Sequence, residues 1–309
     1  MAITTSNFAK LLWPGLNSIY GEAYTQYPVE YTDLFDTYKS SQAYEEDLGY
    51  SGFGLASVKP EGNSIAYDTA QQGFLTRYRH ITYAKGFIIT EEMMDDDLYG
   101  VIGKKRAQAL AYSMRQTKEI VAANVYNRAF NTSYLGGDGS SLVASAGGGG
   151  SSTHPNIAGG TWTNGPTAAV DLSEAALEQA SIDISKWTND RGLKIAVRPN
   201  KLIIPADLAY EADRILNTPL RVGTADNDIN ALRNMGKFPG GAVINHYLDD
   251  VDAWFIRTDC PDGMKYFERK ADMFEMDNDF DTSNAKFKAA FRCSFGWTDP
   301  RAIWGSPGA

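Results

Sequence analysis

KKRAQALAYSMRQTKEIVAANVYNRAFN, residues 104–131, contains neither proline nor glycine and is filled largely by Ala, Leu, Arg, Lys, Gln, Glu and Met. Those residues lose least on entering a helix. Ala107, Leu110, Met114, Val121, Val125 and Ala129 recur on one face, so the spacing predicts a single amphipathic helix. At 1.5 Å per residue it is roughly 40 Å long, close to the diameter of a small domain. One small core cannot cover such a length, and the stripe through Leu110, Met114, Val121 and Val125 is expected to be buried within the subunit. Gly100 and Gly103 weaken any extension towards Glu91. The polar face carries Lys104, Lys105, Arg106, Arg115, Lys118 and Arg128 against Glu119 alone.

The chain immediately upstream reads as strands. Gly52–Val58 and Ser64–Asp68 flank the turn Lys59-Pro60-Glu61-Gly62-Asn63, where Pro fixes φ and Gly permits φ > 0. Phe74–Tyr83 and Phe87–Thr90 continue the β-rich run. Residues 51–90 are therefore expected to form a long two-stranded hairpin, and two strands alone need a neighbour to rest on. Residues 1–50 are rich in aromatics of poor periodicity, among them Trp13, Tyr20, Tyr24 and Tyr27. Rigid rings give contact area at low entropy cost, which suits an arm lying across other surfaces as well as a piece of the chain's own core.

Downstream, Ser133–Thr167 is polar and glycine-rich, with Gly147–Gly150 followed by Ser151-Ser152. No strand precedes these glycines and no Gly-Lys-Ser/Thr follows, so the stretch reads as a flexible surface loop and not a phosphate cradle. Asp171 or Ser173 caps a helix running to Trp187, with Leu177, Ala180, Ile184 and Trp187 as its apolar stripe. Ile195–Arg198 and Lys201–Ile204 read as strands, Ala206–Asn217 as a helix and 218–241 as a mobile excursion. Ala242–Tyr247, Ala253–Thr258, Met264–Glu268 and Lys286–Cys293 close the chain as strands. The fold class is α+β.

With 309 residues and 43% hydrophobic composition the chain can bury a sizeable core. The net charge of −9, in spite of the cationic helix, is the wrong balance for a dedicated nucleic-acid binder. Cys260 and Cys293 are too few for a disulfide framework and read as reduced thiols. The first fifteen residues do not have the form of a signal peptide, and no apolar run approaches membrane-spanning length, so a soluble protein without membrane contact is expected.

Motifs for chemistry are sparse. Asp277-Asn278-Asp279-Phe280-Asp281 begins like a calcium loop, but Thr282 stands where glycine is needed and Lys288 where a bidentate Glu is needed. Charges alternating along a sheet edge explain the run better than a metal site. Asp95-Asp96-Asp97 read as solvated carboxylates near a helix start. His80, His154 and His246 are scattered and lack ligand spacing. No catalytic, cofactor or metal residue is assigned.

Several segments, in order, resemble tailed-phage major capsid proteins. Val197-Arg198-Pro199-Asn200-Lys201-Leu202-Ile203-Ile204-Pro205 and the helix after it carry the likeness furthest. Asp138-Gly139, Leu142, His154-Pro155, Gly160-Thr161, Leu172 and Arg191-Gly192 precede it. Thr224, Asn227, Asn230, Tyr247–Trp254, Ala290-Phe291-Arg292 and Phe295–Arg301 follow. Upstream, Glu61-Gly62 and Thr90-Glu91 agree, and the glycine run 147–152 departs as a small insertion. The chain is similar to the Mu-like major head subunit family.

The resemblance implies the capsid fold shared with herpesvirus capsid floors and encapsulin shells. It divides the chain into an N-terminal arm (1–50), an extended hairpin loop (51–90) and a peripheral domain (91–195) whose spine helix is 104–131. An axial domain (196–262) and return strands of the peripheral domain (263–309) complete it. The implied function is a structural head protein that self-assembles, as hexamers and pentamers, into an icosahedral virion shell around double-stranded DNA. It is built in the bacterial host cytoplasm with scaffold, portal and decoration proteins as partners. Contacts between copies are expected from Trp13, Tyr20, Tyr24, Tyr27, Lys59 and Glu61. Lys104, Lys105, Arg106, Arg115, Lys118 and Arg128 are the candidates to face packaged DNA by weak, non-specific contact. Some members of the fold weld a hairpin lysine to a neighbour's asparagine; Lys59 lies near the turn, but no such cross-link is expected. The rivals are an encapsulin-like nanocompartment shell and a metal-dependent enzyme using Asp277–Asp281.

Overall fold

The computed structural model describes residues 9–90, 92–93, 99–221, 228–279 and 284–309. Helix α1 spans Ala9–Thr25 and α2 is the single turn Tyr31–Leu34. Strands β1 (Asp36–Lys39), β2 (Tyr44–Tyr50), β3 (Gln72–Arg79) and β4 (Ile81–Ile89) lead to the long helix α3, Tyr99–Asn127. The glycines at 100 and 103 are thus inside the helix, their intrinsic cost of about 1 kcal/mol each outweighed by tertiary packing. At its other end Ala129 N bonds Tyr126 O and Asn131 N bonds Arg128 O, so the chain tightens into turns instead of continuing to Asn131.

Beneath α3 lies a four-stranded sheet in the order β1-β10-β11-β4, with β10 at Met264–Asn278 and β11 at Ala285–Trp297. β10 and β11 form one long hairpin, well beyond the Met264–Glu268 expected. In β11 the two-residue period sorts the side chains: Ala285, Phe287, Ala289, Phe291 and Cys293 are buried, while Lys286 and Lys288 are exposed. Ala107, Leu110, Ala111, Met114, Ala122 and Tyr126 of α3 are buried in the core that the helix shares with this sheet and with α1. Val121 and Val125, expected to be buried, are only half covered, because they lie on the shoulder of the helix facing an open groove.

A second sheet has the order β12-β9-β7-β8, from Ile303–Ser306, Trp254–Thr258, Pro199–Ile204 and Ala242–Ile244. Its strands β7, β9 and β12 are buried on both faces, while the edge strand β8 is largely exposed. Ile203, Phe255 and Ile303 point into the core under α3. Leu202, Ile204, Trp254, Ile256 and Trp304 point the other way, against helices α4 (Glu174–Lys186), α5 (Ala209–Asn217) and α6 (Ala231–Asn234). The α4 stripe is buried as its spacing requires, and Ser173 caps it by accepting from Ala176 N at 3.2 Å.

Four further expectations change. β2 and β3 do pair as an antiparallel hairpin, from Tyr44↔Arg79 to Tyr50↔Gln72, but 51–71 forms no ladder around its turn at Gly62 (φ +81°). β-propensity expresses itself on a half-buried pleated surface, and these side chains have none beneath them. The N-terminal region is helical from Ala9 and packs on α3 and β10. Residues 195–198 are not a strand; pairing starts at Pro199. The glycine-rich segment is packed, not flexible: Ser140–Ser145 are buried, and a Cβ on Gly147 or Gly150 would come within 2.5 Å of neighbouring backbone. A small hairpin, β5 (His154–Pro155) and β6 (Thr161–Trp162), interrupts it.

Candidate assembly surfaces

The hairpin is fastened to the body at its base. Asp47 on β2 is ion-paired with the buried Lys265 on β10 and accepts from Thr298 Oγ1 at 2.7 Å. Thr298 Oγ1 in turn lies 2.6 Å from Tyr78 Oη on β3, and Asp262 holds Lys265 from the other side at 2.8 Å. Burial alone would raise the Asp47 pKa, but the bonds from Lys265 and Thr298 outweigh it and hold the carboxyl below its ordinary value. Farther out, Arg191 Nη1 bridges both Asp68 oxygens at 2.8 and 3.1 Å.

Beyond those ties the loop leaves the body. Phe53, Leu55, Val58, Ile65 and Tyr67 are all exposed, Val58 at 92% and Tyr67 at 89%. Lys59 and Glu61 stand exposed at its tip. Five large apolar side chains on one protruding loop form the kind of surface a soluble chain covers with a partner. A second group, Tyr210, Ile229 and Met235, is exposed around α5 and α6.

The expected contact aromatics of the N-terminal region divide. Tyr20 is 4% exposed: its ring stacks on Phe274 at 4.7 Å and its hydroxyl donates to Asp272 Oδ2 at 2.6 Å. It is committed to its own subunit, as is Tyr24, half-buried against the same core. The reading of these two as contacts between copies is corrected accordingly. Tyr27 is exposed beside Tyr112, and the Trp13 side chain lies outside the described residues.

Two of the six candidate DNA-facing cations are also corrected. Arg115 and Lys118 are buried under α1. Lys118 Nζ sits over the rings of Phe291, Tyr31 and Tyr24 at 4.9, 5.7 and 5.9 Å, and Arg115 faces Glu119 at 3.4 Å and the Tyr24 ring at 5.3 Å. Glu119 accepts from the backbone N–H groups of Tyr31 and Glu30 at 2.9 and 3.3 Å. Burial raises the pKa of both Glu119 and Asp272. The sequence hid this because a cation every three or four residues reads as a solvated face. Of the surrounding rings, Tyr24 and Tyr31 come from the segment whose place could not be read. Lys104, Lys105, Arg106 and Arg128 are exposed; Arg106 donates to Ile88 O at 3.1 Å and Arg128 stacks on Tyr134 at 4.3 Å.

One buried site was not foreseen. Asn164 Nδ2 donates to the carbonyls of Leu142, Ile303 and Pro300 at 2.8, 3.0 and 3.2 Å. Its Oδ1 accepts from Ala144 N at 2.7 Å and faces His154 Nε2 at 3.1 Å, while His154 Nδ1 meets Asp138 Oδ2 at 2.6 Å. These bonds tie the glycine-rich segment to the C-terminal strand. In the Asp277–Asp281 run, Lys286 Nζ binds Asp279 Oδ2 at 2.6 Å; Phe280, Asp281 and Thr282 lie outside the described residues, as do Asp95–Asp97, Thr224 and Asn227. Among the described residues, no group of acidic, His or Cys side chains has the arrangement of a metal site, and no helix is long and apolar enough to cross a membrane.

The profile of a family described as phage capsid protein matches residues 75–306. No curated protein matches the sequence. Among solved structures, the virus-like particle from Pyrococcus furiosus is 10% identical, with a TM-score of 0.53, covering 96% of this chain and 99% of its own. The capsid of a native GTA particle is 15% identical, with a TM-score of 0.53 and coverage of 91% and 90%. Mycobacterium phage Che8 is 12% identical, with a TM-score of 0.50 and coverage of 90% of each chain. At these identities the likeness is one of fold.

Proposed function

The chain belongs to the phage capsid protein family, and we infer that many copies of it close into the icosahedral shell that holds the genome of a tailed phage. It is a structural, major capsid protein and a component of the virion. The observation that carries its self-association is the loop 51–71, which is anchored at its base yet holds Phe53, Leu55, Val58, Ile65 and Tyr67 in water. A closed shell covers such side chains with the neighbouring copy, through interfaces that bury thousands of Å².

Residues 44–79 serve as the hairpin loop between β1 and β4 of the main sheet, and the segment before them packs on the body. Residues 91–195 with 263–309 serve as the peripheral domain and 196–262 as the axial domain. Tyr27, Lys59 and Glu61 are the exposed members of the proposed contact set. Lys104, Lys105, Arg106 and Arg128 are the exposed cations proposed to meet DNA weakly, against a wall whose net charge is negative. Assembly takes place in the bacterial host cytoplasm with scaffold, portal and decoration proteins, and no catalytic activity is assigned. Electron micrographs of the purified full-length protein test the reading, together with light scattering across a concentration series. Capsomers or closed particles are expected. A compact monomer at every concentration, with or without co-expressed partner genes, refutes it.

A further inference from the structure

His80 alone separates β3 from β4: Arg79 ends the hairpin and Ile81 begins the edge of the main sheet. Its imidazole is buried. Nε2 lies 3.0 Å from Ser40 Oγ, at the start of the other connection into the hairpin, and Nδ1 lies 3.0 Å from Ser294 Oγ on β11. The roles of these atoms follow from the neighbours. Ser40 Oγ donates its hydrogen to Glu45 Oε1 at 2.5 Å and accepts from Gln42 N at 3.1 Å, so towards the ring it can only accept. His80 therefore carries its hydrogen on Nε2, and Nδ1 accepts from the Ser294 hydroxyl. One neutral ring thus pins both chain connections of the hairpin to β11.

We propose that His80 is a proton-operated pivot: neutral, it locks the hairpin to the body, and protonated, it frees the two connections to move. A proton on Nδ1 turns that nitrogen into a donor. Ser294 must then reverse its bond, and its hydroxyl hydrogen loses the acceptor it had. The new charge lies in a buried position facing Arg292 on β11 and Arg269 on β10, with Glu45 on β2 as the opposing carboxylate. Arg292 Nε also donates to His80 O at 3.4 Å, and the edge of Phe267 on β10 closes that side at 6.4 Å. Burial, then the two arginines, outweigh Glu45 and keep the imidazole below its usual pKa. The locked state is thus complete above the ordinary histidine range and weakens as pH falls from there through the lowered value. The Asp47–Lys265 clamp is not affected in that interval, because the Asp47 pKa is held low. His154, bonded to Asp138 and Asn164, and His246, paired with Glu30 at 2.7 Å, lie outside these connections.

Hydrogen exchange of the full-length protein between pH 8 and pH 5, corrected for the intrinsic pH dependence of exchange, reads the pivot directly. Peptides covering residues 40–50 and 72–81 are expected to lose protection by up to about tenfold per pH unit, the limit for one proton, as pH falls from the ordinary histidine range to the ring's lowered pKa, and to level off below it. His80→Gln, whose amide can donate to Ser40 and accept from Ser294, should keep the pH 8 protection and show a flat profile. Protection that does not change with pH in the wild type overturns the proposal, as does an equal loss in His80→Gln. Should that variant fail to fold, nitrogen-15 spectra of the wild-type ring decide. The Nε2–H tautomer at pH 8 giving way to imidazolium as exchange rises supports the pivot. An Nδ1–H tautomer, or a charged ring at pH 8, overturns it.

Discussion

Replacing Asn164 by alanine should cost the subunit about 3–5 kcal/mol, although the residue touches no surface. The side chain is fully buried and satisfies five neighbours at once. Truncation leaves the Ala144 amide without an acceptor and takes away the partner facing His154 Nε2, in a space no larger than the lost amide group. A buried donor left unsatisfied costs about 1–3 kcal/mol. The three carbonyls lose one donor each, but a carbonyl has a second lone pair, so they add less. Against a typical 5–15 kcal/mol of total stability the loss is large. Urea unfolding of the unassembled subunit measures it, followed through the fluorescence of Trp162, which stacks on His154 at 4.7 Å. Asn164→Asp should be at least as damaging, since it turns an oxygen towards three carbonyl oxygens. If both variants unfold within about 1 kcal/mol of the wild type, the bonds through Asn164 do not hold the glycine-rich segment, and the account given of its packing is wrong.

Replacing Phe53, Leu55, Val58, Ile65 and Tyr67 together by serine should leave the thermal transition of the subunit unchanged and abolish particles in micrographs; a lost transition would place the loop in the subunit's own core. Deleting residues 1–35 should destabilise the subunit in a calorimetric scan, because Leu34 and Phe35 are buried along with Leu16 and Tyr20, whereas an undiminished transition would make the region a free arm. Asp272 and Glu119 have pKa values raised by burial, so the folded chain holds protons that the unfolded chain releases. Their contribution is full at pH below the ordinary carboxylate range and declines as pH rises through the raised values. Asp272→Asn should flatten that part of a stability–pH curve, and an unchanged curve would show that Asp272 is not buried. Both thiols have pKa values raised by burial, Cys293 to about 12, so a thiol reagent at pH 8 should modify the folded protein far more slowly than the unfolded one.

The long helix, α4 with its cap and most strands were legible because each follows a local rule: a 3.6-residue stripe, a serine at the N-cap, a two-residue alternation. Residues 51–71 misled for the same reason, since Val58 or Ile65 favours a strand only where a pleated surface lies beneath it. The glycine-rich segment misled in the opposite direction. Glycines that let backbones touch, as Gly147 and Gly150 do, look the same in sequence as glycines that give slack. Lys118 could not be placed because its cage is assembled from Tyr24, Tyr31 and Phe291, up to 173 positions away along the chain. Asn164 gave no signal, for a hydrogen-bond hub has no periodicity.

Arg115, Lys118, Lys265 and Arg301 are buried, while Glu119 is the sole carboxylate among the buried polar residues described. The outside of the subunit is therefore more acidic than its formal −9 indicates. Copies brought together at low ionic strength repel one another over a Debye length of about 30 Å, which shrinks to about 8 Å near physiological salt. Apolar loops act only at contact, so encounter is governed by the salt and cohesion by the loop. Particle formation should then begin at a threshold of ionic strength and persist on dilution below it, a hysteresis that neither force would produce by itself.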